Sequence, residues 1–324
     1  MTYARNQLAA SHNLGVMSGS GPGVTLQAEL SNIHTGSVYC MDWHEGAGLL
    51  VSGSNDKAIR LSNPSNGQVS GVLKEHNGTI RTVKFLGGGS GSEHAGSLLF
   101  ASAGGGDCAT RVWDAQSARV VRALSKNAES VHGLTWLGTD MLLTGCDQGQ
   151  IIGHDLRSAR PAWTYNLNDV LAQSHGETLR RGVCCLAVLG SGNLSSPGSL
   201  HSQNLLVAAG CGGGYVTVFN ATSGQIHSHQ QLHANDVRSL CVMPTVTRRK
   251  DDDHFDILTG SYDGTLGLWR ASSRGQDFRY TSSRILKGHN DKVLCAAPVA
   301  MPGRAECDIL STGADGKAIL WSVN

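Results

Sequence analysis

The feature that most constrains this 324-residue chain is an internal repeat, in which three short apolar strands joined by turns recur six times. The first strand of every unit opens on an aliphatic residue, and the step between successive openings is nearly constant. These openings are Val38, Ile80, Val131, Val183, Val237 and Val293. With 42 glycines and only 16% charged residues, the chain suits short buried strands separated by frequent turns. Short strands at even spacing predict a radial all-β architecture rather than a sandwich.

Four further positions recur with each unit: a histidine before the first strand, a serine or threonine on the second, an aspartate in the next turn and a tryptophan on the third. Three units contain all four, namely His76, Ser102, Asp107, Trp113; His233, Thr259, Asp263, Trp269; and His289, Ser311, Asp315, Trp321. The first unit keeps His34, Ser52 and Asp56 but has Ser62 at the tryptophan position. The third and fourth units have Gln148 and Gly213 at the aspartate position.

This combination resembles the WD40 family over residues 24–324, which leaves residues 1–23 as an N-terminal extension. The resemblance implies a β-propeller in which the four recurring residues form a hydrogen-bonded chain inside each blade. Six repeats are clear, and the alternatives of six or seven blades stay open. A buried His–Asp pair stabilises a blade when all its donors and acceptors are satisfied. Because the arrangement recurs in blade after blade, whereas a catalytic constellation occurs once, we expect a structural device and no enzyme.

Charge and cysteine content exclude several classes of function. A formal net charge of +1 gives no general attraction to nucleic acid or to an anionic membrane. The nine cysteines include several inside apolar strands and form no Cys-x-x-Cys pair, so we expect reduced, buried thiols and no metal site. No apolar signal segment opens the chain, and no stretch is long enough to span a bilayer. We therefore expect a cytoplasmic protein without cofactor or small-molecule substrate.

Insertions interrupt the repeat at four places. Residues 87–97, 190–203 and 245–254 are expected to be loops on the lower rim, and the charge run Arg248–Asp253 in the last is interpreted as a solvated tip. Residues 168–181 precede the first strand of the fourth unit. They are the only segment for which a helix is expected, and they are a candidate contact element on the upper face.

The WD40 resemblance also implies where partners bind: at the upper face, three and five positions beyond each repeat histidine. With Tyr262, which precedes the turn aspartate of the fifth unit, the candidate binding residues are Tyr39, Thr79, Arg81, His132, Asp236, Arg238, Tyr262 and Lys292. Tyrosine and arginine are the residue types that most often carry interface energy. The set therefore predicts an acidic protein or peptide as the partner.

Residues 34–40, 53–57, 76–81, 103–108 and 236–239 are similar to the carboxy-terminal propellers of the nemitin family of microtubule-associated WD-repeat proteins. The similarity implies a scaffold of the cytoskeleton, or of the axoneme of a cilium or flagellum, with tubulin or axonemal subunits as partners. The alternative is a substrate-recognition subunit of a ubiquitin ligase or a chromatin peptide reader. These need an adaptor-binding element or an aromatic cage, and neither is visible in a chain with 5% aromatic residues.

Overall fold

A computed structural model describes residues 33–63, 67–86, 98–124, 126–138, 140–158, 160–176, 181–189, 205–244, 254–274, 277–300 and 307–322. Within these ranges the chain forms 23 β-strands and one α-helix, besides short 3₁₀ turns. The predicted extension 1–23, the insertions 87–97 and 190–203, and the charge run 248–253 lie outside the described residues. The boundary between extension and repeats stays a prediction.

Each sheet is a blade made of consecutive antiparallel strands. The first blade contains β1 Val38–His44, β2 Leu49–Ser54, β3 Ile59–Asn63 and β4 Gln68–Leu73. The second contains β5 Ile80–Phe85, β6 Leu99–Gly104, β7 Thr110–Asp114 and β8 Arg119–Ala123. The third contains β9 Val131–Trp136, β10 Met141–Cys146, β11 Gln150–Asp155 and β12 Pro161–Asn166.

The second half of the chain repeats this plan. The fourth blade contains β13 Val183–Val188, β14 Leu206–Cys211, β15 Tyr215–Asn220 and β16 Ile226–Gln231. The fifth contains β17 Val237–Val242, β18 His254–Ser261, β19 Thr265–Arg274 and β20 Asp277–Lys287. The sixth contains β21 Val293–Ala300, β22 Cys307–Gly313 and β23 Ala318–Trp321. The prediction of an all-β propeller is confirmed, and the described residues form six blades.

The opening aliphatic residues of the repeat begin β1, β5, β9, β13, β17 and β21. Each blade then turns tightly between its second and third strands. In this turn one position has a positive φ angle, between 51° and 84°, in all six blades, namely Lys57, Cys108, Gly149, Gly214, Gly264 and Gly316. Glycine adopts this conformation without strain, which explains why it occupies four of these six positions.

The core lies between the blades. An aliphatic residue on the second strand of one blade packs against the first strand of the next, as Val51 does against Ile80 and Val83 and as Leu143 does against Val183 and Leu186. The first strands of the first five blades each contact the first strand of the following blade. Within the described part of the chain, no comparably extensive contact joins the sixth blade to β1.

One α-helix, α1 (Leu167–His175), lies in the insertion for which a helix was expected. The Asn166 side chain caps its start by accepting the N–H of Asn168 at 2.9 Å, and Gly176 ends it with a φ of 69°. Leu167 and Leu171 are buried in the core between the third and fourth blades, so the helix is docked onto the ring. It is too short to cross a bilayer, as is true of any helix in the described ranges.

Candidate functional site: the upper rim

The blades position the site through the recurring polar residues. In the second blade the Trp113 indole N–H donates to Ser102 Oγ at 2.7 Å, and His76 Nε2 lies 2.7 Å from the same oxygen. His76 Nδ1 lies 3.1 Å from Asp107. The Asp107 carboxylate also accepts the backbone N–H of Ala109, so one side chain joins two turns.

The fifth and sixth blades repeat this geometry. His233 Nε2 lies 2.7 Å from Thr259 Oγ1, to which Trp269 donates at 2.8 Å, and His233 Nδ1 lies 3.0 Å from Asp263. The sixth blade uses the remaining predicted residues in the same way, with distances of 2.8 to 3.0 Å among His289, Ser311, Asp315 and Trp321. The structure thus brings together the four positions that the sequence singled out.

The electrostatics of these pairs suit a structural role. Burial lowers the pKa of His76 and His233, whereas the neighbouring carboxylates oppose that shift. Burial raises the pKa of Asp107, but hydrogen bonds, chiefly from Arg111, and the charge of His76 lower it below its ordinary value overall. Each pair is therefore a neutral imidazole beside a carboxylate near neutral pH. The side chains of His76 and Asp107 are almost fully buried, which closes this pair to a substrate.

In two blades an arginine that the sequence did not indicate contacts the His–Asp pair. Arg60 and Arg111 occupy the same position on the third strands of the first and second blades, and each donates from Nη1 to the turn aspartate at 2.7 Å. In the first blade Ser62 at the tryptophan position is buried, and His34 Nε2 lies 2.9 Å from Ser52 Oγ. Burial raises the pKa of Asp56, and the hydrogen bonds from Ala58, Thr35, His34 and Arg60 outweigh this and lower it.

The third and fourth blades build different networks. In the third, Thr144 Oγ1 donates to Asn127 Oδ1 at 3.0 Å and lies 3.1 Å from His154 Nε2. Asn127 stands where the repeat histidine would be and His154 where the tryptophan would be. In the fourth, Thr217 Oγ1 lies 2.7 Å from His229 Nδ1, and the His229 ring stacks on Tyr215. These contacts give each blade that lacks the turn aspartate a hydrogen-bonded hydroxyl at its centre.

The predicted rim residues meet as cations stacked on tyrosine rings. Arg81 of the second blade lies over the ring of Tyr39 of the first blade, with 4.3 Å between the guanidinium carbon and the ring centroid. Tyr262 receives two cations, Arg238 at 4.8 Å and Lys292 at 5.1 Å. Since Lys292 directly precedes β21, Tyr262 links the fifth blade to the sixth.

His132 joins these stacked groups into one surface. Burial lowers its pKa, and the positive charges of Arg238 and Arg81 lower it further, while Asp147 opposes the shift. Arg81 of the second blade and Arg238 of the fifth are thus close enough to His132 of the third blade to affect its charge state. His132 Nε2 lies 3.2 Å from Asp147 Oδ2, which holds the imidazole in place.

The two remaining predicted residues organise turns. The Asp236 carboxylate accepts the backbone N–H of Gly213 at 2.9 Å, which connects the fifth blade to the fourth. The Thr79 carbonyl accepts the N–H of Gly105 at 2.9 Å. A further stack that the sequence did not indicate places Arg181 3.5 Å from the ring centroid of Tyr215. We define the upper rim as the eight predicted residues together with this pair.

The upper rim presents cationic groups with a fixed orientation. A guanidinium stacked on an aromatic ring is held in orientation while its N–H edge can donate to a carboxylate. Among the described residues, no group of three His, Cys, Asp or Glu side chains could hold a metal ion. Each of the nine cysteines is a free thiol, and burial raises the pKa of Cys211 and Cys241 to about 12.

Comparison with known proteins supports the WD40 resemblance. The family model described as "WD domain, G-beta repeat" matches residues 26–62 and 224–270. Kinesin-like protein KIF21B of Mus musculus is 23% identical over 314 residues, and its Homo sapiens counterpart is 22% identical over 317. Each alignment covers 90% of this chain but only 16% of the relative, so the chain spans a small part of those proteins.

A third relative is Elongator complex protein 2 of Dictyostelium discoideum, which is 25% identical over 123 residues. That alignment covers 37% of this chain and 13% of the relative. These relatives are distant and differ in name from the nemitin family. The similarity to that family therefore stays a prediction.

Proposed function

We propose that this WD40-type propeller is a non-catalytic scaffold that binds an acidic protein surface through its upper rim. The observation that carries the proposal is the pair of tyrosines that hold Arg81, Arg238 and Lys292 in place. Preorganised cations lose less conformational freedom when a carboxylate arrives, so less of the binding energy is spent on ordering them. These cations and tyrosines come from four blades, and such a spread suits an extended protein partner better than a small ligand.

Tubulin in the microtubule lattice, or a subunit of a ciliary or flagellar axoneme, is the proposed partner. Two observations support this choice: the similarity of five segments to the nemitin family, and the kinesin-like name of two matched relatives. The acidic surface of tubulin complements the cationic rim. Complementary charge steers association and penalises like-charged partners by several kcal/mol. A cytoplasmic, cytoskeletal location follows from this proposal.

The test is co-sedimentation with microtubules assembled from purified tubulin, using the double variant Arg81→Glu with Lys292→Glu. We expect binding to weaken by about tenfold or more, because two cations of the rim become like charges facing the partner. Arg238 is left unchanged because it is partly buried beside Cys184 and Tyr262, where a carboxylate would also cost stability.

The matched control is Lys74→Glu with Arg119→Glu, which makes the same charge change on exposed residues at the outer edge of the first two blades. This variant should bind like the unaltered protein. Equal loss in both variants would show that net charge alone drives binding. Unchanged binding of the rim variant would place the contact elsewhere on the molecule.

A further inference from the structure

The first strand of every blade contains a β-bulge at the same position. The antiparallel register between the first and second strands slips there, and one residue of the first strand is left without a partner on the second. A bulge bends its strand and redirects the side chain of the extra residue. We call the extra residues the bulge residues, and they are Tyr39, Arg81, His132, Cys184, Arg238 and Leu294.

The bulge residues lie at the upper end of the innermost strands, and four of them belong to the upper rim. First strands of successive blades contact one another from β1 to β21, so they surround the centre of the propeller. The charge of Arg238, from the fifth blade, acts on His132 of the third blade, and the Arg238 side chain also lies beside Cys184 of the fourth. Because the third and fifth blades are not neighbours, these side chains converge on the centre that the first strands surround.

Among the bulge residues, His132 has an ordinary pKa nearest to neutral pH. Its side chain is 11% exposed, and its Nε2 atom lies 3.2 Å from Asp147 Oδ2. Since a carboxylate only accepts hydrogen bonds, Nε2 carries a hydrogen and donates it to Asp147. The other ring nitrogen, Nδ1, is therefore the atom at which His132 gains a proton.

Charged groups from three blades face the His132 ring. Asp147 belongs to the same blade, Arg81 to the second blade and Arg238 to the fifth. Cys184, from the fourth blade, is a neutral thiol because burial raises its pKa. Burial and the two arginines lower the pKa of His132, and Asp147 opposes that shift. His132 is thus neutral at pH 7, and two arginines and one aspartate leave one net positive charge around it.

A carboxylate bound between Arg81 and Arg238 changes this balance. Its negative charge offsets the two guanidinium charges that oppose protonation of His132, and it also attracts the imidazolium directly. The pKa of His132 is therefore higher in the complex than in the protein without ligand. By thermodynamic linkage, a proton is taken up as the carboxylate binds, and binding tightens as pH falls.

We propose that Arg81 and Arg238 hold one carboxylate of an acidic peptide segment at the centre of the upper rim, and that His132 takes up a proton at Nδ1 when this carboxylate binds. The proton comes from solvent, and protonated His132 becomes the third cation of the site. Because it takes the upper rim as the binding surface, this inference rests on the proposed function. It adds the chemical group that the rim recognises and a proton that accompanies binding.

The test measures binding of a fluorescently labelled peptide of six glutamates to the full chain by anisotropy at pH 8 and pH 6. The peptide stays ionised over this range, because the ordinary pKa of glutamate is about 4.3. We expect the affinity to rise by about threefold to tenfold from pH 8 to pH 6. Isothermal titration calorimetry at pH 7, in two buffers of different ionisation enthalpy, should show net proton uptake on binding. A peptide of six glutamines should not bind at either pH.

Two variants of the site test the role of His132. His132→Gln keeps an amide that can donate to Asp147, and it should abolish both the rise in affinity and the proton uptake. Asp147→Asn keeps the histidine but removes the charge that favours its protonation, so the rise in affinity should move to lower pH. The matched control is His254→Gln, since His254 is exposed at the opposite end of β18 from Tyr262. This variant should keep the full pH dependence, and urea unfolding verifies that all three variants are folded.

Three results would overturn the proposal. The affinity of the glutamate peptide is equal at pH 8 and pH 6, or it rises equally in His132→Gln, or the peptide does not bind the folded chain at either pH. Co-sedimentation of Arg81→Glu with Lys292→Glu tests the proposed function separately. Loss of microtubule binding in that variant, together with any of these three results, would leave the upper rim as the binding surface and remove only the proton-linked carboxylate site.

Discussion

The second and fifth blades hold their strands together differently from the third. In the first two, a hydroxyl on the second strand, Ser102 or Thr259, receives an indole N–H and lies against a histidine that contacts a carboxylate. In the third, Thr144 lies between Asn127 and His154. The hydroxyl with two polar neighbours is common to all three, whereas the residues that flank it can be exchanged. Different sets of neighbouring side chains can therefore hold the central hydroxyl of a blade.

The fourth blade extends this comparison. Ala209 occupies the hydroxyl position there, and Thr217 on the neighbouring strand, directly paired with it, supplies the hydroxyl instead. Thr217 then bonds to His229 on the outermost strand. The polar centre has moved outward by one strand, and the fully buried Phe219 fills the tryptophan position. Substituted blades compensate locally, so variants in complete and substituted blades should respond differently.

The largest difference should follow removal of a tryptophan from a complete blade. Trp113 is 1% exposed and stacks on Phe100 with 6.1 Å between the ring centroids. We expect Trp113→Ala to lower the free energy of unfolding by about 4 kcal/mol, because it leaves a large cavity and removes a donor from Ser102. Equilibrium urea unfolding measures the effect. The control is Trp43→Ala, whose side chain is 41% exposed and which should cost less than about 1 kcal/mol. A similar cost for both would contradict the assignment of Trp113 to the core.

A smaller difference should appear at the turn aspartate. Asp263 accepts the N–H of Ala234, the N–H of Thr265 and the Thr265 hydroxyl at 2.7 to 2.9 Å. Asp263→Ala should lower the free energy of unfolding by about 2 to 3 kcal/mol, since these donors lose their acceptor. Gln148→Ala, at the same position of the third blade, should change it by less than about 0.5 kcal/mol. Thermal unfolding of both variants compares the two turns. If Gln148→Ala is as costly as Asp263→Ala, the third blade depends on its turn after all.

The smallest expected difference between complete and substituted blades concerns the pH dependence of the free energy of unfolding. Burial lowers the pKa of His154 to about 4, below the value of about 6.5 in an unfolded chain. As pH falls from about 6.5 to 4, the His154 imidazole takes up a proton in the unfolded state before it does so in the folded state. The contribution of neutral His154 to the free energy of unfolding is therefore present above pH 6.5 and is lost at pH 4. His154→Gln should therefore reduce the loss of stability between pH 7 and pH 5 by roughly 1 to 2 kcal/mol.

Urea unfolding at the two pH values provides the measurement. His233→Gln is the companion variant from a complete blade. Its effect on the pH dependence should be smaller, because the Asp263 carboxylate raises the pKa of His233 against the effect of burial. Parallel pH profiles for His154→Gln and the unaltered protein would mean that His154 is not the titrating group.

The fold could be predicted from the sequence because its signal is repeated. The position of Val237, for example, is supported by five equivalents, and the register of each strand follows from its opening residue. The networks of the third and fourth blades could not be predicted in this way. Asn127 and His154 lack the residue types of the repeat, and their roles depend on which side chains meet Thr144 in three dimensions.

In the upper rim, too, the residues that follow the repeat could be predicted and those outside it could not. Placement of Arg81 and Arg238 relative to a repeat histidine could be predicted, since alternation along a strand decides which side a residue faces. The stack of Arg181 on Tyr215 could not, because Arg181 follows an insertion that breaks the repeat spacing. The exposure of Met41 could not be predicted either. Its strand has the same apolar pattern as its buried equivalents, and only the absence of a neighbour among the described residues distinguishes it.

Because each blade is built from consecutive strands and packs mainly on the next, the domain has the thermodynamics of a short linear array. An inner blade is stabilised by two interfaces, whereas the first and sixth blades each have one among the described residues. Local unfolding should therefore begin at these two ends and reach the third and fourth blades last. Backbone amide hydrogens of β1 and β22 would exchange with solvent well before those of β10 and β14.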